Sequence, residues 1–177
     1  MGVDINRTRT ARSNRFVLGA AAGVAALALS GRTMAQTSAP PSPIDLRAAY
    51  CARALTLREA ALNELVKVLV STREYAEASD EARRKLHELE ATQHSEIRDL
   101  RAKVLSYLTP RLQYLDVAAL LQAVKQADAD QERAMRAGTN AGCYRDIETG
   151  SACAERVTPP DIAQSTAACS NLTWLPY

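Results

Sequence analysis

The sequence predicts an all-α protein: a small antiparallel helical bundle, or a long helical hairpin with a third helix, followed by a disulfide-pinned irregular C-terminal tail. The hydrophobic fraction of 47% is carried mainly by Ala, Leu and Val, and aromatic residues make up only 5%. Such a composition disfavours a β-sandwich or barrel. Apolar residues also recur at three- and four-residue steps through the middle of the chain, which is the helical period.

Residues 1–35 have the pattern of a cleaved secretory signal peptide. A basic segment precedes the uncharged apolar run 16–29, and Thr33 and Ala35 are the small residues that precede a cut. The run is too short for a spanning helix, which needs about 20 apolar residues. We expect cleavage after Ala35 and a bacterial protein that is periplasmic or secreted, with no integral membrane span. Retention of the segment as an anchor stays open.

Removal of this segment changes the charge balance. Five of the 22 basic residues and one of the 20 acidic residues lie in the first 35 positions, which leaves 17 basic and 19 acidic residues. A chain with this balance has no excess of basic residues to neutralise phosphates. We therefore expect no nucleic-acid partner.

The remaining chain divides into three parts. Residues 36–43 form a Pro-rich linker, for which we expect no means of packing. Residues 44–137 form the helical domain. Residues 138–177 form a tail that contains three of the four cysteines.

Three helices are expected in the helical domain. Capping residues and apolar periodicity place them at 45–77, 80–108 and 116–137. Leu65 belongs to the broad apolar face of the first helix, which we expect to be buried against more than one neighbour. Gly138 is expected to end the third helix. In the tail we expect loop with at most one short helix, at 160–168.

The four cysteines indicate two disulfides if the protein is exported. Three pairings exist for four cysteines. We favour Cys143–Cys153, which are ten residues apart across a turn-rich stretch, and Cys51–Cys169, which would pin the tail to the first helix. No C-x-x-C pair is present, so the sequence does not favour redox or zinc chemistry.

The two histidines raise the question of a metal site. His87, Glu90 and His94 share one face of the second helix and carry ligand types for zinc, copper or nickel. Two helical turns separate the histidines by about 10 Å, which is too far for one ion. We therefore expect solvated surface histidines, no metal and no cofactor, with these three residues as the candidates if a second helix contributes a ligand.

The C-terminus carries the densest aromatic cluster outside the signal-like segment. Trp174, Leu175 and Tyr177 lie within four residues of one another at the end of the chain. The simpler interpretation is that Trp174 plugs the bundle core. The functional alternative is a short docking peptide for a partner protein.

No catalytic residue can be assigned from a motif. The sequence contains neither a Gly-rich phosphate loop nor a G-x-S-x-G elbow, and its acidic pairs lie among Lys and Arg. We expect a non-enzymatic exported protein that acts through another protein, as an adaptor, assembly or chaperone-like factor; a homodimer is compatible with this. The alternatives are a periplasmic metal- or stress-sensing hairpin that uses His87 and His94, and a small secreted helical enzyme.

Overall fold

A computed structural model describes residues 38–143 and 150–176, and all of their regular structure is helical. The predicted signal peptide and Tyr177 lie outside the described residues. The all-α prediction is confirmed. The helices are α1 (Pro43–Val70), α2 (Arg73–Glu77), α3 (Asp80–Leu108), α4 (Val117–Asn140), α5 (Gly150–Val157) and α6 (Pro160–Ser170), with 3₁₀ turns at Thr109–Arg111 and Leu172–Trp174.

Helix α1 begins earlier and ends earlier than the sequence predicts. Ser42 caps it and Asp45 completes a capping box with Ser42, so Asp45 is a residue of the first turn and not the cap. The helix stops at Val70, and the Thr72 hydroxyl caps the separate short helix α2. The predicted span 45–77 is therefore wrong at its C-terminal end. The hydroxyls of Ser71 and Thr72 donate to the carbonyls of Val68 and Leu69, which ends α1, and a new helix begins after Thr72.

Helices α3 and α4 follow their predicted starts. Ser79 caps α3 and Asp116 caps α4. The expected stop at Gly138 is wrong, because Gly138 is a buried residue inside α4 and the helix continues to Asn140. The left-handed glycine that follows the helix is Gly142, with a φ of 73°.

The C-terminal segment is more regular than expected. Where at most one short helix was predicted, the structure has α5 and α6, which are separated by Thr158 and Pro159. Proline in the first turn suits the start of α6.

Helix α1 is the central element of the fold. Helix α3 runs antiparallel to it, with Tyr107 bonded to Asp45 at one end and Arg98 bonded to Glu59 further along. Helix α4 packs on α1 through the ion pair Arg53–Asp128. None of the described helices is long and apolar enough to cross a membrane.

Part of the predicted linker is held by backbone pairing. The amide of Ala39 donates to the carbonyl of Tyr114 over 2.8 Å, and the amide of Asp116 donates to the carbonyl of Ala39 over 3.0 Å. The expectation that residues 36–43 have no means of packing is therefore wrong from Ala39 onward. This pairing fixes the chain beside the start of α4.

The core is confined to one end of the hairpin. Its fully buried large side chains include Leu55, Ile97 and Val104, and the buried Leu172 and Leu175 close it from the C-terminus. Residues 56–96, all of which the structure describes, include none that is buried. We call residues 56–96 the arm and the remaining described residues the base.

The expected burial of Leu65 is wrong. Its side chain is 52% exposed, and Val68 is 57% exposed. A periodic apolar stripe shows that a face is apolar, but its burial depends on whether another element reaches it. The elements that contact α1, among them α3 and the short α2, leave the side chains of Leu65 and Val68 more than half exposed.

Candidate functional site

The candidate functional site is the uncovered apolar surface of the arm. Leu65, Val68 and Val70 on α1 and Leu89 on α3 are exposed, and Leu89 is 56% exposed. Single exposed apolar residues are common on protein surfaces, whereas neighbouring ones on one face can mark an interaction site, and Leu65 and Val68 lie about one turn apart on α1. Four of the ten exposed large hydrophobic residues in the described ranges lie in this one segment, between residues 65 and 89.

The covered and uncovered parts of α1 share one face. Cys51, Arg58 and Leu65 are each seven residues apart, so they lie on the same side of the helix. Cys51 is bonded to Cys169 of α6, and the Arg58 guanidinium donates to the Ser170 hydroxyl at the end of α6 over 3.3 Å. Leu65 lies two turns beyond Arg58. The apolar face of α1 therefore continues beyond the part that α6 covers.

Ion pairs join α1 to α3 on the side of the arm that faces away from Leu65. Glu59 of α1 bonds Arg98 over 3.3 Å and also bonds Arg101, both on α3. Burial raises the pKa of the Glu59 carboxyl, but the hydrogen bonds and positive charges of Arg98 and Arg101 outweigh it and hold the pKa below its ordinary value. This cluster ties α3 to α1 where the arm leaves the base.

The predicted metal candidates are brought together through Glu90. His87 Nδ1 lies 3.3 Å from Glu90 Oε2, and His94 Nε2 lies 3.8 Å from Glu90 Oε1. His87 Nε2 also lies 3.0 Å from the Tyr75 hydroxyl. His94 is not the solvated histidine that the sequence predicts, since only 12% of its side chain is exposed and its buried Nδ1 has no hydrogen-bond partner among residues 38–143 and 150–176.

This chain of contacts does not form a metal centre in the described ranges. No group of three or more His, Cys, Asp or Glu residues there has an arrangement that could hold a metal ion. His87 and His94 contact different oxygens of the Glu90 carboxylate, so their nitrogens do not converge on one point. Glu59, which faces His94 Nδ1 at 3.8 Å, is already engaged by two arginines.

The C-terminal candidates are placed on the base. Trp174 packs against the core, its Nε1 donates to the carbonyl of Ala168 over 2.8 Å, and the Arg47 guanidinium lies 5.4 Å from its ring centroid. Leu175 is 5% exposed and belongs to the core. These positions match a core plug, and Leu175 offers little surface for docking. Tyr177 lies outside the described residues.

Both favoured disulfides are present. Cys51 is bonded to Cys169, and Cys143 is bonded to Cys153. The first joins α1 to α6, and the second joins the end of α4 to α5. Together they connect the C-terminal segment to α1 and to the chain just after α4.

Sequence reasoning missed two buried carboxylates that organise the base. Asp45 accepts hydrogen bonds from Ser42, Tyr107 and Arg111, and Asp130 accepts from Tyr50, Gln126 and Arg133. The Tyr50–Asp130 contact connects α1 to α4, and Arg133 continues to Asp161 of α6 over 3.0 Å. No sequence motif identifies the Tyr107–Asp45 and Tyr50–Asp130 contacts, because their members are 62 and 80 residues apart.

Comparison of the chain with known protein families, with characterised proteins and with solved structures finds no match.

Proposed function

We propose that this chain is an exported, non-enzymatic helical protein that acts through protein contacts, as an adaptor, assembly or chaperone-like factor. The arm is its contact surface. The observation that carries the proposal is the contrast between the base, which holds the whole buried core of the described residues, and the arm, where Leu65, Val68 and Leu89 are more than half exposed.

The free energy available at this surface favours a protein partner. Full burial of a leucine or valine side chain is worth about 1.5–3 kcal/mol, so the exposed halves of three such residues offer several kcal/mol in total. Within the described residues, neither α3 nor the short α2 buries this area. A partner that lies along the uncovered face of α1 would extend the packing that α6 provides at Cys51 and Arg58.

Export is supported by the disulfides and by the predicted signal peptide. Two disulfides within a chain of this size are typical of an oxidising compartment, such as the bacterial periplasm or the extracellular space. The non-enzymatic part of the proposal rests on the lack of a catalytic motif in the sequence.

Site-specific photo-crosslinking tests the proposal. A photoreactive amino acid replaces Leu65 or Val68 in the full chain, which is expressed in its native host and irradiated in intact cells. The matched control is Leu121, which is 44% exposed on α4 of the base. We expect the same discrete cross-linked species from both arm positions and none from Leu121.

The identity of the cross-linked species is read by mass spectrometry. One defined protein, or a second copy of the chain, trapped from Leu65 and Val68 supports the proposal. Cross-links that are absent from both arm positions, or equally strong from Leu121, would overturn it.

A further inference from the structure

We propose that the partner of the arm is a second copy of this chain, and that two arms pack antiparallel about a two-fold axis. This inference rests on the proposed function of the arm as a contact surface. It comes from the pattern of exposed residues on α3 and α1, which is complementary to itself when one copy is reversed.

The pattern on α3 is a stripe of four exposed residues. They are spaced by four, three and four positions, which keeps them on one helix face: Lys85, Leu89, Thr92 and Glu96. This spacing reads the same from either end, while the charge at one end is positive and at the other negative. An antiparallel second copy therefore places Lys85 opposite Glu96, and Leu89 opposite Thr92. Symmetry produces each contact twice.

The pattern on α1 has the same centre. Glu59 contacts His94, Arg98 and Arg101, so residue 59 is level with about residue 98 of the antiparallel α3. The centre of the α3 stripe lies between Glu90 and Ala91. Counting equal rises along both helices, this centre is level with the point between Val66 and Lys67.

That point on α1 is also midway between Leu65 and Val68, the two most exposed large hydrophobic residues of α1. The same two-fold axis that pairs Lys85 with Glu96 therefore brings Leu65 of one copy opposite Val68 of the other. A single two-fold axis therefore produces the residue pairs on both α1 and α3, and neither helix has to be shifted along the other.

The apolar residues of the two helices lie on the same side of the arm. At about 100° per residue, Leu65 is about 120° around α1 from Glu59, and Leu89 is about 140° around α3 from His94, in the same rotational sense. Because the helices are antiparallel and Glu59 faces His94, both rotations lead to the side opposite the ion pairs. One partner surface can cover both.

The position of α6 favours the antiparallel arrangement. It ends beside Arg58, on the face that leads to Leu65. In a parallel pair the two bases would meet on this face and their α6 helices would hold the arms apart. In an antiparallel pair the bases lie at opposite ends, and each arm meets only the other arm.

Sedimentation velocity with charge reversal tests the pairing on the full chain. We expect a monomer–dimer equilibrium between low micromolar and several hundred micromolar protein. Lys85→Glu and Glu96→Lys should each weaken the dimer roughly tenfold, because each replaces two attractive contacts by repulsive ones. The double variant with both reversals should restore it. Lys125→Glu, an exposed position on α4, is the matched control and should leave the dimer unchanged.

The outcomes separate this inference from the proposed function. A chain that stays monomeric throughout the series, or a double variant that does not recover, overturns the pairing. A monomeric chain that is cross-linked from Leu65 to a different protein also overturns the pairing but supports the arm as a contact surface. A dimer whose dissociation constant is unchanged by either charge reversal overturns the pairing of Lys85 with Glu96.

Discussion

The Tyr107 hydroxyl donates a hydrogen bond of 3.0 Å to Oδ1 of Asp45, which joins the last turn of α3 to the first turn of α1. The Asp45 side chain is 2% exposed, and it also caps α1 with Ser42 and binds the Arg111 guanidinium over 2.9 Å. Burial raises the pKa of Asp45, but the hydrogen bonds from Ser42 and Tyr107 and the charge of Arg111 outweigh it and hold the pKa below its ordinary value. One carboxylate thus closes the base end of the hairpin.

Removal of this hydroxyl should destabilise the base. Tyr107→Phe is expected to lower the free energy of unfolding by about 1–3 kcal/mol, because a buried carboxylate loses a donor. Tyr114→Phe is the control, since Tyr114 is exposed and should change little. Urea denaturation followed by circular dichroism measures both. Equal stability of the two variants would contradict the role assigned to Asp45.

Tyr50 should couple the stability of the fold to alkaline pH. Its burial, and then its hydrogen bond to Asp130, raise its pKa to about 12. A raised pKa means that the neutral phenol stabilises the fold below pH about 10, and that this contribution is lost as the pH rises through the folded value.

Spectrophotometric titration of tyrosinate measures this directly. The native protein should show one ionisation near pH 12 that is missing from Tyr50→Phe. The unfolding free energy of the wild type should fall more steeply than that of Tyr50→Phe between pH about 10 and 12. Identical titration curves would contradict the Tyr50–Asp130 contact.

Two leucines of α1 should respond very differently to truncation. Leu55→Ala should lower the free energy of unfolding by about 2–5 kcal/mol, because Leu55 is 2% exposed in the core. Leu65→Ala should cost less than about 1 kcal/mol in the monomer, because its side chain is already half solvated. Chemical denaturation at low protein concentration compares them. A cost at Leu65 as large as at Leu55 would mean that the arm is covered within the monomer.

The sequence predicts the helices well where local signals decide them. Ser79 and the acidic first turn mark α3, and its limits are as predicted. The Cys51–Cys169 disulfide is also as predicted, because a C-terminal segment without its own core needs a covalent attachment to α1. The sequence does not show where burial stops: Leu55 and Leu65 both belong to the apolar stripe of α1, but only Leu55 lies in the core cluster. The sequence does not predict α5, which packs on α4 and is bonded through Cys153 to Cys143 just after α4.

The two disulfides should have separable effects. Cys51–Cys169 closes 118 residues, and the chain-entropy model gives it about 5 kcal/mol, against about 3 kcal/mol for the ten-residue separation of Cys143–Cys153. Replacement of Cys51 and Cys169 by serine should shift the Trp174 emission to the red, because α6 and the turn at Leu172–Trp174 are released together. Replacement of Cys143 and Cys153 is the control and should leave the emission unchanged. A red shift in both variants would contradict the separate roles.

We infer that the base holds a complete hydrophobic core and that a second chain covers the exposed apolar side chains of α1 and α3 in the arm. Amide hydrogen exchange along α1 tests it most directly, by comparing residues 48–55 with residues 62–69 in dilute and in concentrated protein. We predict fast exchange at 62–69 and slow exchange at 48–55 in the dilute protein, with slower exchange at 62–69 alone as the concentration rises. Equal protection of both segments in the dilute protein would contradict the claim.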